Sequence, residues 1–284
     1  MELFNNLGLA IAFSPRLEAL LFEASRLKTL LGTKLTLIHV GHTDDTGKKR
    51  LFELMEKAGL VPNETTIRWE QGKPGKRILA VCREEKVDLL VAGAIKKENL
   101  LQYYIGSVAR RILRKADCSV LTLLNPSTTP KPYANIVVSA ENSPYVNEAL
   151  QVACVLGTVD RTDWIHIARE IKLYGLTMAT AGESTEAKYE DYRNSTVQRE
   201  IENVKAKLEG IPHEGLKINY KILAGKSGYE LARFTALKKA DLLIVGAPQQ
   251  KFSFFDRFFT HDLEYIFADL PSNLLIINPA KKSG

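Results

Sequence analysis

The residues best placed to do chemistry are Gly93, Lys96, Gly106 and Ser107, spaced as Gly-x2-Lys-x9-Gly-Ser. The apolar segment leading to Gly93, Val87-Asp88-Leu-Leu-Val-Ala, reads as a buried strand, and Ser107–Lys115 reads as a helix. A strand therefore ends on glycine, and a loop leads to a helix that opens on Gly-Ser. Unpaired amides and the helix dipole favour an anion at such a helix start. Glycine lets that anion come close to the backbone. Lys96 and Lys97 lie in the loop, with Arg110 and Arg111 in the first helical turns. Lys96 either makes a charge-assisted contact to phosphate or fills the volume a phosphate would need. No residue stands as a general base beside this anion seat, so hydrolysis ranks last among the readings.

The elements around this loop occur twice. Asp88-Leu-Leu-Val-Ala-Gly93-Ala94 returns 153 residues later as Asp241-Leu-Leu-Ile-Val-Gly246-Ala247. Gly72 and Gly225, Ser107 and Thr260, and Asn125-Pro126 and Asn278-Pro279 keep that spacing. Ser14-Pro15 matches Ser143-Pro144 at 129, and Ile38-His39 matches Ile165-His166 at 127. The chain is one unit written twice, with 26 residues inserted before the third strand of the second copy. This predicts domains at 1–126 and 133–280, a proline-containing linker at 127–132, and an insert around 168–215. The insert includes a long charged helix, read as a solvated face, with a partner surface as the alternative.

Each copy alternates strands and helices. In the first, Leu7–Phe13, Lys34–Val40, Thr65–Glu70, Val87–Ala92 and Cys118–Leu124 read as strands, with helical periodicity between them. Five strands joined by helical crossovers must run largely parallel, and their apolar faces need helices on both sides. The fold class expected is α/β: two tandem doubly wound parallel-sheet domains of five strands each. Ser14 and Ser143 read as helix caps before proline. Gly225-Lys226-Ser227 lacks the first glycine of a P-loop and reads as a turn before a helix capped by Ser227. His39 and His166 read as structural, since no carboxylate cluster accompanies them.

Four stretches together resemble the universal stress protein family in a tandem form: Ala10-Ile-Ala-Phe-Ser-Pro15, His39-Val40, Val87–Gly93 and Gly106–Leu121. The resemblance covers nearly the whole chain. It implies an adenine nucleotide alpha hydrolase-like, Rossmann-like fold with strand order 3-2-1-4-5, and a ligand at the switch point between the first and fourth strands. It also implies ATP or AMP in the first domain. The family signature is Gly-x2-Gly-x9-Gly-Ser/Thr, with Lys96 here at the middle glycine. The implied nucleotide contacts are Ala12, Ser14, Val40, Gly93, Lys96, Gly106, Ser107 and Val108. Ala12 stands where the family places an aspartate, and Val40 offers its backbone near the base.

The second copy departs further, so no nucleotide is expected there. Gln249 and Phe259 replace glycines, Asp262 and Glu264 follow in the next turn, and Glu141 takes the aspartate position. The resemblance implies a stress-response regulatory module. A ligand-free scaffold with both sites decayed is the alternative, and a slow ATPase the last. Single-domain members resemble dimers, which implies pairing of the two domains within the chain; a homodimer stays open.

Composition agrees. The net charge of +6 lies wholly in the first 128 residues, with 20 Lys+Arg against 14 Asp+Glu. That excess suits an anionic ligand or scattered surface lysine. No basic run interleaved with aromatics points to nucleic acid. No stretch approaches a membrane span, and no leader is evident, so a cytoplasmic protein is expected. Cys82, Cys118 and Cys154 read as reduced, buried thiols. Phe252, Phe254, Phe255, Phe258 and Phe259 close an emptied pocket or present an apolar interface.

Overall fold

The computed structural model describes residues 3–96, 103–104, 106–141, 143–171, 186–226, 228–247, 266 and 269–278. The chain divides into two units, Met1–Pro132 with Asn273–Gly284, and Tyr133–Ser272.

The first unit runs β1 (Asn6–Ile11), α1 (Leu17–Leu31), β2 (Lys34–Val40), α2 (Asp45–Lys57), β3 (Thr65–Glu70), α3 (Pro74–Glu84), β4 (Leu89–Gly93), α4 (Ser107–Lys115) and β5 (Ser119–Leu123). Its strands lie in the order β3-β2-β1-β4-β5, each pair parallel. This is the third-second-first-fourth-fifth order of a doubly wound sheet. Every residue of β5 is buried, as a strand covered on both faces requires. α1 buries Leu17, Leu20, Leu21, Ala24 and Leu27 at helical spacing and ends on Gly32 in the left-handed conformation, φ 66. α2 starts on Asp44, whose carboxylate accepts from Gly47 N–H at 2.8 Å.

The repeated Asp-Leu-Leu motif owes its acid to the fold. Asp88 accepts from the amides of Asn5 and Asn6 at 2.7 and 3.0 Å, tying the start of β4 to β1. Asp241 does the same for Asn135 N–H at 2.8 Å.

The second unit holds β6 (Asn135–Ser139), α5 (Val146–Val159), β7 (Trp164–Ile171), α6 (Glu186–Leu208), β8 (Ile218–Ala224), α7 (Tyr229–Leu237) and β9 (Leu242–Gly246). Its order, β8-β7-β6-β9, repeats that of β3-β2-β1-β4.

The last strand, β10 (Asn273–Ile277), comes where the repeat puts a fifth strand, but it belongs to the first unit. It runs antiparallel to β5, Leu275 opposite Leu121. Leu124 N–H donates to Asn273 Oδ1 at 2.9 Å, and Asn278 Nδ2 donates to Ala116 O at 2.8 Å. The boundary expected at 280 therefore moves to Asn273, because β10 supplies the ladder that the β5 edge lacks.

α6 has 23 residues where α2 has 13. Its C-terminal half carries a solvated face and one buried stripe. Val204 and Leu208 are each 2% exposed, and Glu200 pairs with Arg169 at 3.3 Å. The charges lie on the outer side of an amphipathic helix.

Candidate functional site

β1 and β4 pair from Leu7–Leu89 to Leu9–Val91, and there the ladder stops. β1 continues to Ile11 and β4 to Gly93. The pairing thus ends at the C-terminal rim of the sheet, at its topological switch point, where doubly wound sheets hold their ligands. Because β4 and β5 are parallel, α4 must run back against them, so its N-terminus stands at the same rim.

Most of the sequence-predicted contacts come to this rim. Ala12 is exposed just past β1. Ser14 N–H donates to Ala12 O at 2.8 Å, making the turn before α1. Val40 ends β2 opposite Glu70, and Gly93 ends β4 opposite Leu123. Lys96 lies in a two-residue antiparallel ladder with Tyr103. Gly106 is buried and precedes α4 in extended backbone, φ −63 and ψ 166. Ser107 is exposed, and Val108 is 39% exposed.

No side chain caps α4, and its first turn carries no acid. Its leading amides are thus set for an anion. Lys97, Ser227, Gln249, the phenylalanines of 252–259, Thr260, Asp262 and Glu264 fall outside the described residues.

The serines do not cap their helices. α1 begins at Leu17 with Arg16 at the cap position, and α5 begins at Val146 with Tyr145 there; neither has a side-chain cap. Ser14 Oγ instead accepts from Arg16 N–H at 3.4 Å, and Ser143 Oγ from Tyr145 N–H at 3.1 Å. Proline two residues before the helix leaves each serine two residues ahead of the cap position.

Arg16 was not legible in the sequence. Its guanidinium crosses to the ends of β4 and β5, donating through Nη1 to Ala94 O and through Nη2 to Leu124 O. No motif includes position 16, and the second copy has Tyr145 at the equivalent place.

In the second unit the turn after the first strand lies against the end of β9. β6 and β9 part after Val138–Ile244, but Ser143 donates its hydroxyl to Ala247 O at 2.7 Å. A Cβ added at Gly246 would overlap Ser143 Oγ and lie 2.9 Å from its Cβ. At Gly93, among the described residues, only the Leu20 methyls come within 4 Å of such an atom, at 3.5 and 3.6 Å. Glu141, at the position of Ala12, accepts from Glu170 N–H at 2.5 Å and pairs with Arg169 at 3.1 Å. Its carboxylate is engaged by the protein itself.

His39 lies one residue from the end of β2, whereas His166 is the third residue of β7 and not at a strand end, yet both pack among aromatic rings. His39 sits 5.0 Å from Phe13 and 5.6 Å from Trp69, with Nδ1 3.4 Å from Ile11 O. His166 lies 6.0 Å from Trp164 and 5.8 Å from Phe234, and burial, with Lys238 nearby, holds its pKa below the ordinary value. Among the described residues no group of His, Cys, Asp and Glu could hold a metal ion. No helix among them is long and apolar enough to cross a membrane. An open cleft of about 700 Å³ runs along α2, past Lys48, Phe52 and Glu56, rather than over the strand ends.

Comparison with known proteins matches this fold to a family. The universal stress protein family matches residues 4–123. The universal stress protein MJ0531 of Methanocaldococcus jannaschii is 36% identical over 56 residues, covering 20% of this chain and 33% of that protein. The match thus spans about a third of that relative's length. A functionally unknown protein from Pseudomonas aeruginosa PAO1 superposes with a TM-score of 0.68 at 14% identity, over 98% of this chain and 93% of its own. A universal stress protein from Archaeoglobus fulgidus gives 0.66 at 14% identity, over 96% and 98%. At that identity these likenesses establish the fold alone. Residues 4–123, which span β1 to β5, are thus similar to the universal stress protein family.

Proposed function

We propose that this chain is a tandem universal stress protein whose first unit binds an adenine nucleotide, ATP or AMP, and whose second unit does not. In this reading it is a stress-response regulatory module, and occupancy of the first site biases its shape or partners. The observation that carries the reading is the contrast between the two glycines: Gly93 has room for an added atom beside Leu20, and Gly246 is covered by Ser143.

The phosphates would meet the amides at Gly106–Ser107, where α4 is uncapped and free of acid. The excess positive charge of the first 128 residues would draw the anion toward that end. Val40 offers backbone groups to the base. Ala12 cannot accept a hydrogen bond through its side chain, which weakens binding by about 1–3 kcal/mol if a ligand donor is left unpaired.

The test is a thermal shift with millimolar ATP or AMP, beside a native mass spectrum of the purified chain. Binding to the folded state raises the melting temperature. Ser107→Asp puts a carboxylate at an exposed position in the first turn of α4, where it suits the helix dipole but repels phosphate. That variant should melt no lower than the wild type and lose the nucleotide shift. No shift in the wild type, with no adenylate in the mass spectrum, would leave the ligand-free scaffold as the better reading.

A further inference from the structure

Ala94 and Ala247 hold the same place in the two copies, one residue past the strand-ending glycine. Both carbonyls are tied to the turn that follows the first strand of their copy, but by different side chains. In the first unit the tie is Arg16, which also takes Leu124 O. In the second it is Ser143, at 2.7 Å.

A serine hydroxyl stands one carbon from its backbone, whereas a guanidinium stands several bonds away. The short tie draws the Ser143 turn down onto Gly246, so that an added Cβ would lie 3.2 Å from the Tyr145 carbonyl carbon. The long tie leaves the Ser14 turn standing off from Gly93, which meets only Leu20 among the described residues. Ser14 and Ser143 are the same residue type at the same position, so serine itself does not make the difference. The copies diverge two residues later, with Arg16 in the first and Tyr145 in the second.

We propose that Arg16 is the positioning residue that holds the Ser14 turn off the end of β4 in the first unit, and that it thereby determines that a phosphate-bearing ligand enters there and not in the second unit. Arg16 acts through the Ala94 carbonyl and the turn at Ser14, without touching the ligand. The choice of ligand rests on the nucleotide reading above; the effect of Arg16 on the turn does not.

Two measurements on the full chain separate the parts. The first uses no ligand. Gly93→Ala, Arg16→Tyr and the double variant are compared by urea denaturation. If the arginine keeps the turn away, alanine at 93 is tolerated beside Arg16. It clashes in the Arg16→Tyr background, where Ser14 is free to take Ala94 O as Ser143 takes Ala247 O. The double variant then loses more midpoint than the two singles together. Additive losses overturn the proposal, whatever ATP does. The second measurement is calorimetric titration with ATP. Arg16→Tyr should weaken binding about tenfold or more, the size of a lost hydrogen bond to a charged group. Removing the competing hydroxyl in Arg16→Tyr/Ser14→Ala should recover part of that loss, which a merely structural role for Arg16 would not produce. Wild-type affinity in Arg16→Tyr overturns the proposal. Coupling at Gly93 in a chain that binds no ATP keeps Arg16 as the spacer and removes the nucleotide reading.

Discussion

Glu170 places its carboxylate against the amide of Gly228, 2.9 Å away, and also accepts from Leu231 N–H at 3.0 Å. The start of α7 is thereby supplied with an anion from the chain itself. The residue is only 9% exposed, so its amide partners have no ready access to water.

Removing that carboxylate should therefore be costly. Glu170→Ala leaves buried donors unsatisfied and should lower stability by about 1–3 kcal/mol. Urea denaturation followed by circular dichroism measures it. An unchanged midpoint would show that the amides of Gly228 and Leu231 find other acceptors.

The two strand-ending glycines should respond differently to the same methyl group. Gly246→Ala drives a Cβ into Ser143 and should cost about 1–3 kcal/mol, as over-packing does. Gly93→Ala meets only the Leu20 methyls at 3.5 Å or more and should shift the midpoint by less. Equal losses at both positions would contradict the difference between the two turns.

The rim of β3 should confer acid sensitivity. Arg77 hydrogen-bonds Glu70, with Nε at 3.1 Å, and Arg68 reaches the same carboxylate at 2.7 Å. These bonds, Arg77 first, hold the Glu70 carboxyl below its ordinary value of 4.5 against the opposing effect of burial. A carboxyl depressed in the folded state contributes stability above its unfolded pKa and loses it as pH falls through the folded value. The stability gap between wild type and Glu70→Gln should thus be full above about pH 4.5 and shrink below it. A gap independent of pH would mean that Glu70 contributes nothing through its charge.

The cysteines should be slow to react. Cys82, Cys118 and Cys154 are all buried and unpaired in disulfides. Burial pushes the Cys154 thiol up to about 11. A hydrogen bond with Cys82, reinforced by burial, raises that of Cys118. Because thiolate is the reacting form, a disulfide reagent should label the native chain slowly and all three sites on unfolding. Rapid stoichiometric labelling of the native chain would count against this packing.

Some of the site was readable because it depends on local pattern. The run Val87–Ala92 is apolar on both faces, so it had to be a covered strand, and β4 occupies Leu89–Gly93. Gly106-Ser107 followed by an amphipathic stretch announced the helix start at α4. The serine–proline turns misled, because a cap depends on where the first helical amides point, and the helices begin at Leu17 and Val146. The charged helix of the insert was read as a solvated face, and most of its described positions are exposed or half-buried. Its two buried positions, Val204 and Leu208, stand four residues apart on one face of the helix, and packing identified them as core.

By itself the amino-acid order determined the repeat and the alternation of strands and helices. These follow from periodicity and backbone preference, which act over a few residues. Tertiary structure decided what happens at the C-terminal rim of each sheet. Arg16 meets Ala94 across 78 positions and Ser143 meets Ala247 across 104. Such contacts depend on how far each side chain reaches once the strands are packed. Beside Gly93 an added Cβ would meet only the Leu20 methyls among the described residues, whereas beside Gly246 it would meet Ser143, although serine stands at the same place in both copies. The pairing of β10 with β5 was settled in the same way, because an edge strand takes whichever segment the finished fold carries to it.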